Sequence, residues 1–336
     1  MDTITHIVLG ACVGEVMAGK KIGRKAMLIG AVAQSIPDID IVAGFWLTPA
    51  SDLLAHRGFT HSILFALLVA PVLAFFSAKG FKKSSFPFKK WVLFWCIQIL
   101  IHLFIDSFNA YGTGLFEPFS HYRVSFNTIF VADPFFAISL GIVFLMLLFA
   151  RKDNSKRVKW ATTAITISAC YLCLCIANKL IVIRHVKTAM QTENISHTRY
   201  FTTPTPLNSF LWFVVAEDKS GFNIAHSSVF DKQAKIDFRY YSRNDSLLKV
   251  CSHNDDLQHL VRFSKGYYTV EKWHDTLVFN DLRFGQMAGW TDTNAHFVFH
   301  FFLQQPGNNA MVIQRGRFAN WDKGTVVSLL DRIRGN

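Results

Sequence analysis

The sequence has little cysteine, and its six cysteines lack the spacing of a disulfide framework or of a zinc site. Five of them lie inside apolar segments: Cys12, Cys96, Cys170, Cys173 and Cys175. The sixth, Cys251, stands alone in the polar half of the chain. No second cluster is present to complete four ligands with residues 170–175. We therefore expect small apolar packing residues and no disulfides.

Several catalytic motifs are also absent from the chain. It has no His-Glu-x-x-His, which excludes the usual intramembrane zinc protease. It has no glycine-rich phosphate loop, no serine-centred nucleophile elbow and no Pro-Ser-Gly-His segment of the phospho-histidine lipid phosphatases. Residues 1–3 lack the basic region that opens a cleavable signal peptide, so we expect none.

What the chain has in excess is apolar residues. Hydrophobic residues make up 51% of it, 33 of them Phe, and the mean hydropathy is +0.25. A membrane-spanning helix needs about 20 such residues. Four runs approach that length, and two shorter runs carry Gly10, Gly14 and Gly30, which permit close helix packing. The four are 62–79, 91–108, 134–150 and 160–183, and the two are 4–19 and 26–43. We predict a polytopic α-helical membrane domain of four to six segments over residues 1–184.

Basic residues predict the orientation of these segments. Three alternate loops hold 14 Lys and Arg: Lys20, Lys21, Arg24, Lys25; Lys79, Lys82, Lys83, Lys89, Lys90; Arg151, Lys152, Lys156, Arg157, Lys159. The other loops hold only Arg57 and Arg123. Basic loops stay in the cytoplasm, so we expect residues 38–61, 106–133 and everything after 183 outside. This pattern also explains the net charge of +12 without nucleic-acid binding.

Residues 185–336 are polar and rich in strand patterns. Three stretches read as strands between Asp, Asn, Gly and Ser turns: 210–215, 235–241 and 296–302. Residues 326–333 read as a closing helix. We predict an extracytoplasmic α+β domain over 185–336.

Seven ionisable side chains fall at the edges of the apolar runs, at the end predicted to face outward. They are His6, Asp38, Asp40, His56, His61, His102 and Asp106. His102 and Asp106 are four residues apart, which puts both on one helical face. Ionisable groups at membrane depth are expensive and suggest function. Imidazole with carboxylate suits zinc, manganese or iron, and seven ligands are enough for two ions with open positions.

Each motif also has an ordinary structural interpretation. Pro37-Asp38-Ile39-Asp40 has the composition of a helix end, and Thr60 or Ser62 that of a helix N-cap. His102 with Asp106 has the spacing of a hydrogen-bonded pair between helices. Only the shared placement of all seven favours a metal site.

The same motifs resemble the YdjM-like family of membrane proteins described as metal-dependent hydrolases. They are Thr5-His6-x-x-x-Gly10, Pro37-Asp38-x-Asp40, His56-Arg57-Gly58-x-Thr60-His61-Ser62 and His102-x-x-x-Asp106, followed by Pro118-Phe119-Ser120, Arg123 and Asp133-Pro134. That family is grouped with the zinc-dependent phospholipase C and single-strand nuclease fold. The resemblance implies zinc held by His6, Asp38 or Asp40, His56 or His61, His102 and Asp106. The chain lacks the N-terminal Trp ligand and the second His-x-x-x-Glu/Asp helix of the soluble enzymes, which argues against their three-ion cluster.

We therefore expect a metal-dependent hydrolase in the bacterial cytoplasmic (inner) membrane, with membrane lipids as partners. A lipid or lipid-linked phosphoester is the expected substrate, and Arg57 and Arg123 are candidate catalytic residues that bind its phosphate. Arg57 also fits a snorkelling residue at headgroup level. The alternative is a non-catalytic membrane protein, with a structural metal or polar cluster and a partner-binding C-terminal domain. Metal transport would need ionisable groups along the depth of several helices, whereas the candidate residues gather at one end, which argues against transport.

Overall fold

The computed structural model describes residues 1–82, 85–151, 154–232, 236–251, 255–292, 294–303 and 321–335. Two of the basic loop residues, Lys83 and Lys152, lie outside these ranges, as does Lys235, the first residue of the predicted strand 235–241. The chain divides into two compact units. The first unit comprises residues 1–43 and 55–175, and the second comprises residues 44–54 and 176–336. The second break falls inside one long helix, which also contains the predicted boundary at residue 184.

The first unit is helical, and local capping explains where several of its helices begin. Asp2 accepts a hydrogen bond from the Thr5 backbone, Ser62 caps the fourth helix, and Asp133 with Pro134 opens the sixth. The helices are α1 (Thr3–Ile22), α2 (Lys25–Ser35), a 3₁₀ helix η1 (Pro37–Phe45), α3 (Pro49–Ala55), a 3₁₀ turn η2 (Phe59–His61), α4 (Ile63–Gly80), α5 (Phe88–Asp106), α6 (Pro134–Phe149) and the long α7 (Arg157–Thr192).

Three described helices, α4, α5 and α7, are long and apolar enough to cross a membrane. A fourth span results if α2 and η1 count as one, although they are bent by 51° at Ile36. The predicted run 26–43 is therefore a broken segment, because Pro37 lacks the backbone N–H that would continue the helix. Helix α6 is apolar but only 16 residues long. A membrane part made of apolar helices is confirmed, while the number of crossings stays a prediction.

Helices α1 and α2 pack with almost no space between their backbones. A Cβ on Gly30 would lie 2.1 Å from the Gly10 carbonyl oxygen, and one on Gly10 would lie 2.3 Å from that of Gly30. One turn further along, a Cβ on Gly14 would lie 2.3 Å from the Ala26 oxygen. Small residues allow this approach, as predicted from their presence in the two short runs. The contact fixes α1 against α2, and α1 carries the candidate ligand His6.

One basic residue counted above among the cytoplasmic loop residues is buried. Arg157, at the start of α7, is 2% exposed and donates from Nε and Nη2 to the two carboxylate oxygens of Glu15, both at 2.8 Å. Its Nη1 donates to the Leu147 carbonyl. Because neither charge is left unpaired in the apolar interior, this pair joins α1, α6 and α7.

The second unit contains two antiparallel sheets. Strands follow sequence order in both, one with four strands and one with three. The first sheet holds β1 (Arg199–Pro204), β2 (Leu211–Glu217), β3 (Gly221–Ser228) and β4 (Arg239–Ser242), and the second holds β5 (Tyr268–Trp273), β6 (Thr276–Gln286) and β7 (Phe297–Phe302). The described part of this unit also contains a 3₁₀ helix (Asp245–Cys251) and the helices α8 (Asp255–Phe263) and α9 (Lys323–Ile333). The predicted strands 210–215 and 296–302 and the closing helix correspond to β2, β7 and α9, and the β-rich C-terminal part is confirmed. Of the predicted strand 235–241, only its last three residues belong to β4.

We predict that Gly30→Ala destabilises the first unit. The added methyl group would overlap a backbone oxygen of α1, and overpacking typically costs about 1–3 kcal/mol. Thermal unfolding of the detergent-solubilised protein measures the effect. Gly141→Ala in α6 is the matched control, since nothing lies within 4 Å of its Cβ. Equal melting temperatures for the two variants would contradict the close packing.

Candidate metal centre

Four side chains converge at the place where α5 ends and α4 begins. Asp38, His61, His102 and Asp106 each offer one ligand atom, and these atoms all lie within 4.8 Å of one another. The Nε2 atoms of the two imidazoles are 3.1 Å apart. Asp38 Oδ1 lies 3.4 Å from His61 Nε2 and 3.5 Å from His102 Nε2. Asp106 Oδ2 approaches the same two nitrogens at 3.6 and 3.7 Å.

The hydrogen bonds made by the other ring nitrogens fix which nitrogen faces the centre. His102 Nδ1 donates to the Gln34 carbonyl at 2.6 Å, and His61 Nδ1 donates to Asp40 Oδ2 at 3.1 Å. A carbonyl or carboxylate oxygen accepts only, so both Nδ1 atoms carry the proton in the neutral rings. Both Nε2 atoms then present lone pairs to the centre. This is the arrangement in which imidazoles bind metals, with the second nitrogen held by an oxygen.

The donor set fits a divalent cation. Two imidazole nitrogens and two carboxylate oxygens surround one small volume, and Arg57 Nε lies 3.1 Å from one of these oxygens, Asp106 Oδ2. Four acceptors in mutual contact repel unless a positive charge lies among them. Burial opposes protonation of His61, but the carboxylates of Asp38, Asp40 and Asp106 raise its pKa, so a proton on His61 competes with a metal ion for the centre. The centre therefore attracts positive charge.

His6 contacts one carboxylate oxygen of Asp106, and Arg57 contacts the other, which faces the centre. His6 Nε2 donates to Asp106 Oδ1 at 3.0 Å, and the amino group of Met1 contacts the same oxygen. The His6 ring stacks on that of His102, with centroids 3.7 Å apart. Arg57 Nε lies 3.1 Å from Asp106 Oδ2. His6, predicted as a ligand, thus lies outside the group of four and contacts two of its members.

Asp40 lies on the other side of His61 and has both oxygens occupied by donors. Its Oδ2 accepts from the Arg57 backbone N–H at 2.8 Å and from Thr60 Oγ1 at 2.9 Å, besides the His61 ring. Its Oδ1 accepts from His56 Nδ1 at 2.9 Å. Asp40 and His56, both predicted as ligands, therefore form a layer that orients His61.

The two arginines predicted to bind a phosphate are buried. Arg57 is 3% exposed, and its guanidinium donates to Asn109 Oδ1 at 2.8 Å and to the Met1 carbonyl at 3.1 Å. Arg123 donates from Nη2 to the His56 carbonyl at 2.7 Å. These contacts place both residues beside the centre, while their role toward a phosphate stays a prediction.

Sequence reasoning missed Gln34 and Asn109. Gln34 is completely buried in α2, and its backbone carbonyl holds His102. An amide side chain four residues before Asp38, inside an apolar run, was the available signal. Asn109 gave no signal, because its contact with Arg57 depends on the path of the loop after α5.

Comparison with known proteins finds a family that matches the helical part of the chain. The family described as YdjM inner membrane protein matches residues 1–182, more than half of the 336 residues. The chain belongs to this family. The match spans all seven predicted ligands, and the family's description assigns its members to the inner membrane.

Two curated relatives resemble parts of the chain. YfhP of Bacillus subtilis (strain 168) is 35% identical over 149 residues, which cover 41% of this chain and 44% of YfhP. The inner membrane protein YbcI of Escherichia coli (strain K12) is 29% identical over 112 residues, which cover 33% of this chain and 63% of YbcI. The chain thus spans less than two thirds of the length of both relatives. No solved structure matches it.

We predict that Asp38→Asn binds divalent metal at least tenfold more weakly than the unaltered protein. The change removes one anionic ligand while keeping the size of a side chain that is already partly exposed, so the fold should persist. Metal content after dialysis and competition with a chromophoric chelator measure the effect. Glu117→Gln is the control, because Glu117 pairs with His121, outside the group of four. Unchanged affinity in Asp38→Asn would remove Asp38 from the ligand set.

A separate prediction concerns Asp40→Asn. Loss of the carboxylate that holds His61 Nδ1 should weaken metal binding about 10–100-fold, the usual effect of removing the group that orients a ligand. The stoichiometry at saturating metal should stay that of the unaltered protein. A reduced stoichiometry would instead identify Asp40 as a ligand.

Proposed function

We propose that this chain is a metal-dependent hydrolase of the membrane. The observation that carries the proposal is the group of four acceptor atoms, with both imidazole tautomers set so that the lone pairs converge. Two imidazoles and two carboxylates suit zinc best among the common divalent ions. When bound, such an ion supplies Lewis acidity toward a phosphoryl oxygen and lowers the pKa of water.

One side of the centre is accessible, which favours catalysis over a purely structural site. The side chains of His61, His102 and Asp106 are fully buried, whereas Asp38 is 18% and His56 is 34% exposed. Structural zinc sites are closed by four protein ligands and catalytic ones keep an open position, so catalysis here would require a further coordination position on the side of Asp38. A substrate would reach the centre past Asp38 and His56, and the buried side would exclude water.

His56 is the residue we assign to proton transfer. Its Nδ1 is held by Asp40 Oδ1 and its side chain is 34% exposed, so Nε2 is the nitrogen that would transfer a proton on the accessible side. Its ring centroid lies 6.0 Å from that of His61. A general acid or base needs this combination of a fixed ring and a reachable nitrogen. Arg123 supports it by binding the His56 carbonyl.

Arg57 would position Asp106 rather than bind substrate. Its Nε faces Asp106, and two further donors of the guanidinium are used by Asn109 and the Met1 carbonyl. A buried positive charge at this point offsets the charge of Asp106 and fixes its rotamer. The phosphate-binding role would then fall to the metal and to Arg123.

A lipid or lipid-linked phosphoester is the substrate class we infer. Asp106 is the last residue of the apolar helix α5, and His61 stands two residues before the apolar helix α4. Ends of membrane helices lie at the membrane–water boundary, where headgroup phosphates are found. The membership in an inner membrane protein family agrees with this location.

The activity test uses full-length protein loaded with zinc or manganese. It should release phosphate or a phosphorylated headgroup from one member of a phospholipid panel, or cleave an aryl phosphodiester, and a chelator should stop the reaction. Protein that binds metal yet cleaves none of these would favour the non-catalytic interpretation.

A single variant separates the proton-transfer role of His56 from a ligand role. We predict that His56→Gln keeps its full metal content while kcat falls about 100–10,000-fold, the usual contribution of general acid–base catalysis. Metal analysis and steady-state kinetics on one preparation give both quantities. Loss of metal in His56→Gln would make His56 a ligand, as predicted from the sequence. Normal kcat with normal metal would show that His56 has neither role.

The proposed topology places the basic loops in the cytoplasm and the C-terminal domain outside. In a cysteine-free background, Cys at Lys219 should react with an impermeant maleimide in intact cells, and Cys at Lys82 should react only after lysis. Both positions are at turns of the described chain. The reverse labelling pattern would move the candidate centre to the cytoplasmic face.

A further inference from the structure

Residues 44–54 interrupt the part of the chain that forms the metal centre. They separate η1, which carries Asp38 and Asp40, from residues 55–61, which carry His56 and His61. Although flanked by the first unit on both sides, these eleven residues belong to the second unit. We call them the strap.

The strap is fastened to α8 by two side-chain contacts. Thr48 Oγ1 donates to Asp256 Oδ1 at 2.6 Å, and Ser51 Oγ lies 3.1 Å from His259 Nδ1. Asp256 and His259 are three residues apart on α8 and therefore share a helical face. All four residues lie within the second unit. The same Thr48 oxygen accepts from the Ser51 backbone at 3.3 Å and so caps α3.

Hydrogen bonds at the metal centre join the chain segments on the two sides of the strap. Asp40 Oδ2 accepts from the Arg57 backbone N–H, and Asp40 Oδ1 accepts from His56 Nδ1. Residues 40 and 57 are thereby joined across the insertion. The two ends of the closed loop are thus joined at the layer that orients His61, and the strap between them is hydrogen-bonded to α8 within the second unit.

Each arm of this loop contains a short helix. On one side η1 runs to Phe45, three residues before Thr48, and on the other α3 runs from Pro49 to Ala55, next to His56. Short helices with their hydrogen bonds intact transmit a displacement better than flexible chain does. A shift of α8 would therefore reach Asp40 and His56.

We propose that the strap lets the C-terminal domain control the metal centre, so that the state of α8 sets the affinity for the ion. The inference rests on the proposed function only through its metal site and does not require hydrolysis. It gives the C-terminal domain a regulatory role toward the same site. The coupling is reciprocal, so metal binding should also restrain the strap.

The experiment breaks the contacts from the side of α8, far in sequence from every ligand. The double variant Asp256→Ala/His259→Ala of the full-length protein should bind zinc more weakly, by up to about a hundredfold, because the coupling cannot exceed the two hydrogen bonds, each of which contributes a factor of about two to ten. The matched control is Ser220→Ala/Tyr240→Phe, which removes an exposed hydroxyl pair of 2.7 Å in the same unit. Its zinc affinity should be unchanged. Equal affinity in the two double variants would overturn the proposal.

Two further measurements keep the inference testable if that variant folds poorly or if the protein binds no metal. Ser51→Ala on the strap should lower zinc affinity by itself, and its effect should vanish in a His259→Ala background, as a double-mutant cycle requires for a shared contact. Amide hydrogen exchange of residues 55–62 in metal-free protein should be faster in Asp256→Ala/His259→Ala than in the control. Unchanged exchange together with unchanged zinc affinity would overturn the strap alone, whereas absence of binding of any divalent ion in the unaltered protein would overturn the proposed function and, with it, the control of ion affinity.

Discussion

The convergence of two imidazole nitrogens and two carboxylates on one buried volume is the constraint on which the site depends. His61 and His102 meet at 3.1 Å through their Nε2 atoms, and in the neutral rings both of these nitrogens carry lone pairs, because the opposite nitrogen of each ring donates to an oxygen acceptor. Two carboxylate oxygens close the same volume. Such an arrangement is unfavourable without a cation and strongly favourable with one, so the surrounding structure must hold the acceptors together.

The surrounding structure holds them by using buried polar groups as supports. Gln34 fixes His102, Asp40 fixes His61, and Arg57 with His6 fixes Asp106. Each support is itself hydrogen-bonded, as burial in an apolar helical domain requires. The glycine contact between α1 and α2 contributes as well, because it fixes α1, which carries His6, against α2, which carries Gln34. The packing of α1 against α2 therefore contributes to the geometry of the ligand atoms.

Much of the fold and the neighbourhood of the site could be predicted from the sequence. The apolar runs predicted the helices from α4 to α7, and the edge positions of His61, His102 and Asp106 predicted that they would meet. The family resemblance was confirmed over residues 1–182. The bend at Ile36 was missed although Pro37 signals it, whereas the role of Gln34 was not predictable, since it depends on how α2 packs against α5. Nor did hydropathy show that residues 44–54 belong with the second unit.

The sequence by itself determined the candidate side chains, because imidazole and carboxylate groups at the ends of apolar helices are identifiable from residue type and position. It could not determine which of these side chains face the centre and which contact those that do. His6, Asp40 and His56 are of the same residue types as the four converging side chains and lie in the same motifs. The tertiary structure separated the four converging side chains from the other three, because convergence depends on which nitrogen or oxygen points inward. That depends on rotamers and hydrogen-bond partners contributed by residues up to a hundred positions away in the chain.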